Sequence, residues 1–250
     1  MTNKGNISLP VESLCKKGVS RLTINTVVFI PEGIVVAADS RLSGLKNNNG
    51  YIEEFYLNDN MEKVMLLNSG KVGITYNGHS DYLGKTIPEI IRDFDRNQIS
   101  DVDTVTDIAF KLFNYFSEKY KELNTSFSVI GYIDSEQYIY SLNQGSIKRV
   151  NINYSGLYYG IFCSGNVEIA KVLNPINKMY FEEFNLVEAI KLAEFYINTT
   201  IDWLKFNEKY ANCGGPIDIL VMKPDKSYFY RDKFTESLIK KLDEMKKEPL

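Results

Sequence analysis

Along the first third of the chain the apolar residues fall in short runs of four to eight, cut by turn residues, which is the pattern of strands. Ile24 to Ile30 and Ile34 to Asp39 are two such runs around a Pro31-Glu32-Gly33 turn. Leu42 to Asp59 reads as a long polar connection. Beyond it a second strand pair is predicted at Lys63 to Leu67 and Lys71 to Tyr76, joined by Asn68-Ser69-Gly70, a hairpin signal. The period then becomes helical. Ile87 to Phe94 carries Pro88 in its first turn, and Asp103 to Leu123 places Val105, Ile108, Ala109, Leu112, Phe113 and Phe116 on one face. Strands return at Phe127 to Ile133, Gln137 to Leu142, Ser146 to Val150 and Tyr158 to Cys163. Helices follow at Val167 to Leu173 and Leu186 to Phe206, then strands at Ile217 to Met222 and Ser227 to Tyr230. Lys233 to Lys246 is expected to be an amphipathic tail helix with Phe234, Leu238, Leu242 and Met245 inward. Residues 1 to 22 form a polar extension in which Val11 to Lys17 makes one short helix ended by Gly18.

Strands, two helices, strands, two helices, strands is an order that suits a layered domain in which helices cover facing sheets. No linker, internal repeat or low-complexity segment interrupts it, so residues 23 to 250 are expected to form one domain. The 29 basic and 32 acidic residues leave a net charge of −3, which gives no general affinity for nucleic acid or an anionic membrane. The N-terminus lacks the apolar core of a secretory signal, and no later run is long and apolar enough to span a bilayer, so a cytoplasmic location is expected. Cys15, Cys163 and Cys213, odd in number and widely spaced, fit reduced thiols. The Asn-x-Ser/Thr matches at Asn6, Asn124, Asn153 and Asn198 then carry no glycosylation meaning.

The chemistry concentrates in Thr23 to Arg41, TINTVVFIPEGIVVAADSR, together with Lys63 in MEKVMLL. Taken singly, Thr23 is a β-branched residue opening a strand, Lys63 a strand-edge charge and Asp39 with Arg41 a structural pair at a strand end. Taken together, with Thr23 sixteen positions before Asp39, they resemble the opening of proteasome β-type subunits and their bacterial relatives, N-terminal-nucleophile (Ntn) hydrolases. The resemblance runs from Thr23 to about Tyr230. It implies an α+β fold, the four-layer αββα sandwich of two facing antiparallel sheets covered by helix pairs. It also implies amide hydrolysis through an acyl-enzyme on peptide or protein substrates. A freed threonine amine has a pKa near neutrality and takes the proton of its own hydroxyl.

On this resemblance Thr23 is the nucleophile once residues 1 to 22 are removed, and Lys63 and Asp39 tune protonation beside it. Gly78 donates its N–H to the oxyanion where the covering helix begins. Ser164, in Cys163-Ser164-Gly165, touches the threonine amine. Ser43 binds substrate backbone and Tyr76 shapes the primary pocket. Taken without the resemblance, Tyr76 is a buried strand aromatic and Ser164 a helix N-cap. A ring-shaped homo-oligomer and an unfoldase partner are implied by analogy, with no cofactor and no metal. The sequence also departs from the family pattern. Leu22 precedes Thr23 where active relatives have glycine, Tyr210 stands in the place of the second acid, and Cys213 in that of a serine. These departures suit a second reading, an inactive or α-type-like structural subunit; a non-peptide amide hydrolase is a third. His79, the single histidine, belongs to no recognisable triad or zinc motif.

Overall fold

The computed structural model describes residues 23–48, 51–176, 179–207 and 211–235. The extension 1–22 with its expected helix, Tyr210, and the tail helix beyond residue 235 lie outside them.

β1 (Ile24–Ile30) and β2 (Gly33–Asp39) are buried at every position, as unbroken apolar runs require, and form a hairpin across Pro31-Glu32. Among the described residues β3 (Leu42–Asn48) and β4 (Tyr51–Asn58) pair only with each other. The stretch read from sequence as a polar connection is thus a separate two-stranded hairpin. Gly44 permits it, because a side chain there would overlap the Phe55 ring.

β5 (Val64–Leu67) turns through Asn68-Ser69-Gly70, all at positive φ, into β6 (Val72–Gly78). A small hairpin, β7 (Asp81–Tyr82) and β8 (Lys85–Thr86), leads into α1 (Ile87–Gln98), which opens on a reciprocal Thr86/Glu89 capping box. α2 (Val105–Lys119) opens the same way on Thr104 and Asp107. β9 (Thr125–Ile133), β10 (Glu136–Asn143) and β11 (Ser146–Arg149) follow, then a two-stranded sheet of β12 (Ile152–Asn153) and β13 (Gly156–Leu157). β14 (Gly160–Gly165), α3 (Glu168–Ile176), α4 (Leu186–Asn207), β15 (Ile217–Met222) and β16 (Ser227–Arg231) complete the order.

Two sheets have five strands each, ordered β14-β1-β2-β15-β16 and β11-β10-β9-β6-β5, and three further sheets have two strands. All the strand pairs are antiparallel. The core has three parts. α1 and α2 cover the second large sheet through Ile87, Ile91, Phe94, Ile108 and Leu112. α4 covers the first through Ala189, Ala193 and Ile197. Val27, Phe29, Val36 and Leu220 of the first large sheet share a third cluster with Val64, Ile130 and Ile139 of the second. Each of these groups removes apolar surface from water at about 25 cal/mol per Å².

This arrangement corrects the expected four-layer αββα Ntn-hydrolase sandwich of two sheets with a helix pair on each. The strands are spread over five antiparallel sheets, none of them closed into a barrel, and the helices are too few: four α-helices among the described residues, of which α4 covers the first large sheet. The physical reason lies in the connections. Three of them, around residues 48, 83 and 154, fold back as local hairpins instead of running on as loops or helix. The result is a mixed helix-and-strand fold.

Candidate functional site

The site is built where the end of β2 meets the start of β1 and the approach to β5. Asp39 closes β2 with no exposure, and four donors converge on its carboxylate. Oδ1 accepts the Lys63 ammonium at 2.9 Å and the Ile24 N–H at 3.2 Å; Oδ2 accepts the Gly214 N–H at 2.9 Å and the Arg41 N–H at 3.2 Å. Lys63, immediately ahead of β5, is 3 % exposed, so this ion pair is desolvated on both sides. Such a pair persists only with its remaining lone pairs satisfied, which the three backbone donors accomplish.

Thr23 sits one residue before the Ile24 N–H that Asp39 holds. It is 6 % exposed, and its carbonyl accepts the Asn166 N–H at 2.7 Å. β14 runs alongside β1 with Ile24 opposite Gly165 and Asn25 opposite Ser164. Gly165 has φ +88°, and a side chain there would overlap the Thr23 carbonyl oxygen, so only glycine allows the two backbones to lie this close. The Ser164 hydroxyl is buried without a protein partner among the described residues.

The structure thus joins Asp39 to Lys63 directly, to Thr23 through Ile24, and sets Ser164 on the neighbouring strand. The other sequence-chosen residues lie further out. Gly78 ends β6 at φ +107°, opposite Thr125 and packed flush on the Asn124 carbonyl. The resemblance has the covering helix begin at Gly78, but the helix begins at Ile87, where the hydrophobic pattern puts it, beyond β7 and β8. The Tyr76 ring is buried among the residues under α1 and α2, tilted against Phe127, with its hydroxyl donating to the Glu62 carbonyl at 3.1 Å. Its own carbonyl accepts the Asn25 side-chain amide at 2.8 Å, a bond that ties β6 to β1. Ser43 is buried in β3, opposite Tyr56.

No protein-family model and no curated protein sequence matches the chain. What can be said of the site therefore rests on its own geometry.

Sequence reasoning missed one participant. Asp59 takes both arms of the Arg41 guanidinium, Nε to Oδ1 at 2.8 Å and a terminal nitrogen to Oδ2 at 3.1 Å. The other terminal nitrogen of Arg41 donates to the Ala211 carbonyl at 3.0 Å and the Cys213 carbonyl at 3.4 Å. The bidentate hydrogen bonding holds the arginine above its usual pKa, and its fork geometry fixes the 211–215 turn that presents Gly214 to Asp39. No local signal links Asp59 to Arg41 across eighteen residues, because only the β3–β4 hairpin brings them together.

Among the described residues no group of histidine, cysteine or carboxylate side chains is arranged to hold a metal, and no helix is long and apolar enough to cross a membrane. A groove at the end of α2, lined by Phe113, Phe116, Tyr120, Leu123, Phe127 and Leu142, contains none of the candidate residues.

Proposed function

We propose that the protein is a threonine-type hydrolase of amide bonds, with peptides as substrate class, in which Thr23 becomes the first residue of the working chain. The observation that carries this is the fully buried Lys63–Asp39 pair at 2.9 Å, whose carboxylate also holds the peptide N–H next to Thr23. A buried ion pair whose carboxylate holds the N–H of the first residue of β1 does little for strand stability that apolar side chains would not do as well. It does fix a positive charge on the carboxylate that holds the N–H next to Thr23.

In the mechanism that follows, the amine freed at Thr23 takes the proton of its own Oγ as that oxygen attacks the substrate carbonyl, and returns it to the departing amine. Water then releases the acyl group from Oγ by the same route. Lys63, held by Asp39, supplies the field that favours the alkoxide developing on Oγ. Ser164, whose hydroxyl has no partner among the described residues, is free to orient toward the amine. Arg41 and Asp59 hold the turn that completes the Asp39 carboxylate.

A second reading, a non-catalytic structural subunit, is favoured by the 6 % exposure of Thr23 and by Leu22 ahead of it. One experiment separates the two: the intact mass of protein expressed without an N-terminal tag, beside a Thr23→Ala control. A parent chain starting at Thr23 with the control uncut supports the hydrolase. A parent that folds, assembles and keeps residues 1–22 supports the structural role.

A further inference from the structure

The strand register gathers buried polar side chains in one place between the two large sheets. On the first sheet Asn25 stands directly opposite Ser164 of β14, and two positions further along Val27 stands opposite Phe162. Val27 belongs to the cluster that the two sheets share, so alternation turns Asn25 and Ser164 to that same inner face. On the second sheet Thr75 of β6 stands opposite Val64, another member of the shared cluster, and therefore faces inward as well. The two groups meet. The Asn25 side-chain amide donates to the Tyr76 carbonyl at 2.8 Å, which brings it against β6 one residue from Thr75. A side chain on Gly165, the neighbour of Ser164, would lie 3.5 Å from the Asn77 Cβ, so β14 packs on β6 at the same level.

Three oxygens of this place, Asn25 Oδ1, Thr75 Oγ1 and Ser164 Oγ, are buried with no hydrogen-bond partner among the described residues. Asn25 and Thr75 are 1 % and 0 % exposed. The Asn25 amide cannot be turned over to relieve its oxygen, because the Tyr76 carbonyl only accepts and must keep the NH₂ group. Buried polar atoms are almost always paired, and where protein supplies no partner an ordered water with two to four polar neighbours does. The three oxygens suit such a molecule. Asn25 Oδ1 only accepts, whereas each hydroxyl both donates and accepts.

We infer that the space between Asn25, Thr75 and Ser164 is a binding site for water, and that through it Asn25 is the positioning residue for the Ser164 hydroxyl. Water donates to Asn25 Oδ1 and Thr75 Oγ1 and accepts the Ser164 hydrogen. That hydrogen is thereby held between the sheets, and the Ser164 lone pairs are left to another donor. The site stands on its own geometry. That the other donor is a freed Thr23 amine, two residues before Asn25 on the same face, rests on the hydrolase reading.

In a high-resolution crystal structure of the full chain, ordered water should lie within hydrogen-bond distance of Asn25 Oδ1 and of both hydroxyls. A dry space, or a direct bond from Ser164 to Asn25, would overturn the site. Urea unfolding gives a second reading. Thr75→Val and Ser164→Ala each strip a partner from the same water, so each should lower the urea midpoint by about 0.3 M, and the double variant should lose less than the sum. Hydroxyls unpaired in a dry core would instead raise the midpoint when deleted, since their burial is then pure cost; that result, or strictly additive losses, refutes the shared water. Positioning is read from the pH dependence of kcat/KM. A Ser164 oxygen held as acceptor favours the charged amine, so Asn25→Leu should move the acid limb about half a unit to lower pH, as Ser164→Ala does, and the two together no further. Where Asn25→Leu does not fold, Thr75→Val should move the limb in the same direction. An unmoved limb in an active protein overturns the positioning role alone. A parent without turnover sinks the hydrolase reading and the positioning role with it, while the crystal structure and the urea midpoints still decide the water site.

Discussion

Replacing Asp39 with alanine removes the acceptor of four donors at once. The Lys63 ammonium, 3 % exposed, is left without a counter-charge, and the Ile24, Arg41 and Gly214 N–H groups lose their partner in a place water does not reach. Breaking a buried ion pair from one side costs about 3–5 kcal/mol, much of it the desolvation of the abandoned charge. For a chain of this size each kcal/mol moves the melting temperature by about 2–4 °C, so a loss of roughly 6–20 °C is expected. Asp39→Asn should do nearly as badly, since its NH₂ would confront two backbone donors. Lys63→Met in the Asp39→Asn background removes the orphaned cation and should restore part of the loss. Urea unfolding of the parent, both single variants and the double gives the coupling energy directly. An Asp39→Ala protein within about 1 kcal/mol of the parent would refute the view that this carboxylate is the fixed point of the site.

Gly165→Ala should destabilise by at least about 1–3 kcal/mol, because φ there is +88° and the methyl would displace the Thr23 carbonyl; calorimetry checks it, and a neutral result would mean β14 does not hold Thr23 as described. The Cys163 thiol is pushed up to about 12 by burial, so in native protein at pH 8 Cys163 should react with thiol reagents about a thousandfold more slowly than a free cysteine, read at that residue by mass spectrometry after digestion, with the protection lost in denaturant. Glu89 and Asp107 are held below the usual carboxylate range by their capping bonds from Thr86 and Thr104. Their contribution is complete above the unfolded carboxylate pKa of about 4 and is lost as pH falls through the lower folded values. Melting temperature should therefore drop below pH 4, and less steeply in Asp107→Asn.

Much of the strand plan was legible because local signals and tertiary needs coincide. β1 and β2 are unbroken apolar runs around a Pro-Glu-Gly turn, and they are central strands buried on both faces. The Asn68-Ser69-Gly70 turn is legible for the same reason: three consecutive positive φ values suit those residues. The β3–β4 hairpin was not legible. Its strands carry Lys46, Asn47 and Asn48 opposite Glu53, Ile52 and Tyr51, no alternating apolar face announces them, and the fit of Phe55 over Gly44 is invisible to periodicity. The four-layer expectation failed at such places, where short hairpins use up chain that the expected architecture would spend elsewhere. Within the site, Thr23, Asp39 and Lys63 stand out jointly through the resemblance, whereas Asp59 acquires its meaning only from Arg41 on another element. Tyr76 is the reverse case: conspicuous in sequence, it turns its ring into the core beneath α1 and α2.

The position of β1 in its sheet has a further consequence, for the order of events during synthesis. β1 can pair with β2 as soon as both leave the ribosome, but its other neighbour, β14, arrives more than a hundred residues later, and the Gly214 donor to Asp39 is 175 residues downstream of it. At about 5–20 residues per second, roughly 10–40 s separate the emergence of Thr23 from that of β15. Through that interval Asp39 lacks its Gly214 donor. On the proposed hydrolase reading, cleavage chemistry that needs the finished carboxylate is thereby deferred until Gly214 has emerged, so that a chain cut short before it carries the threonine without the means to use it.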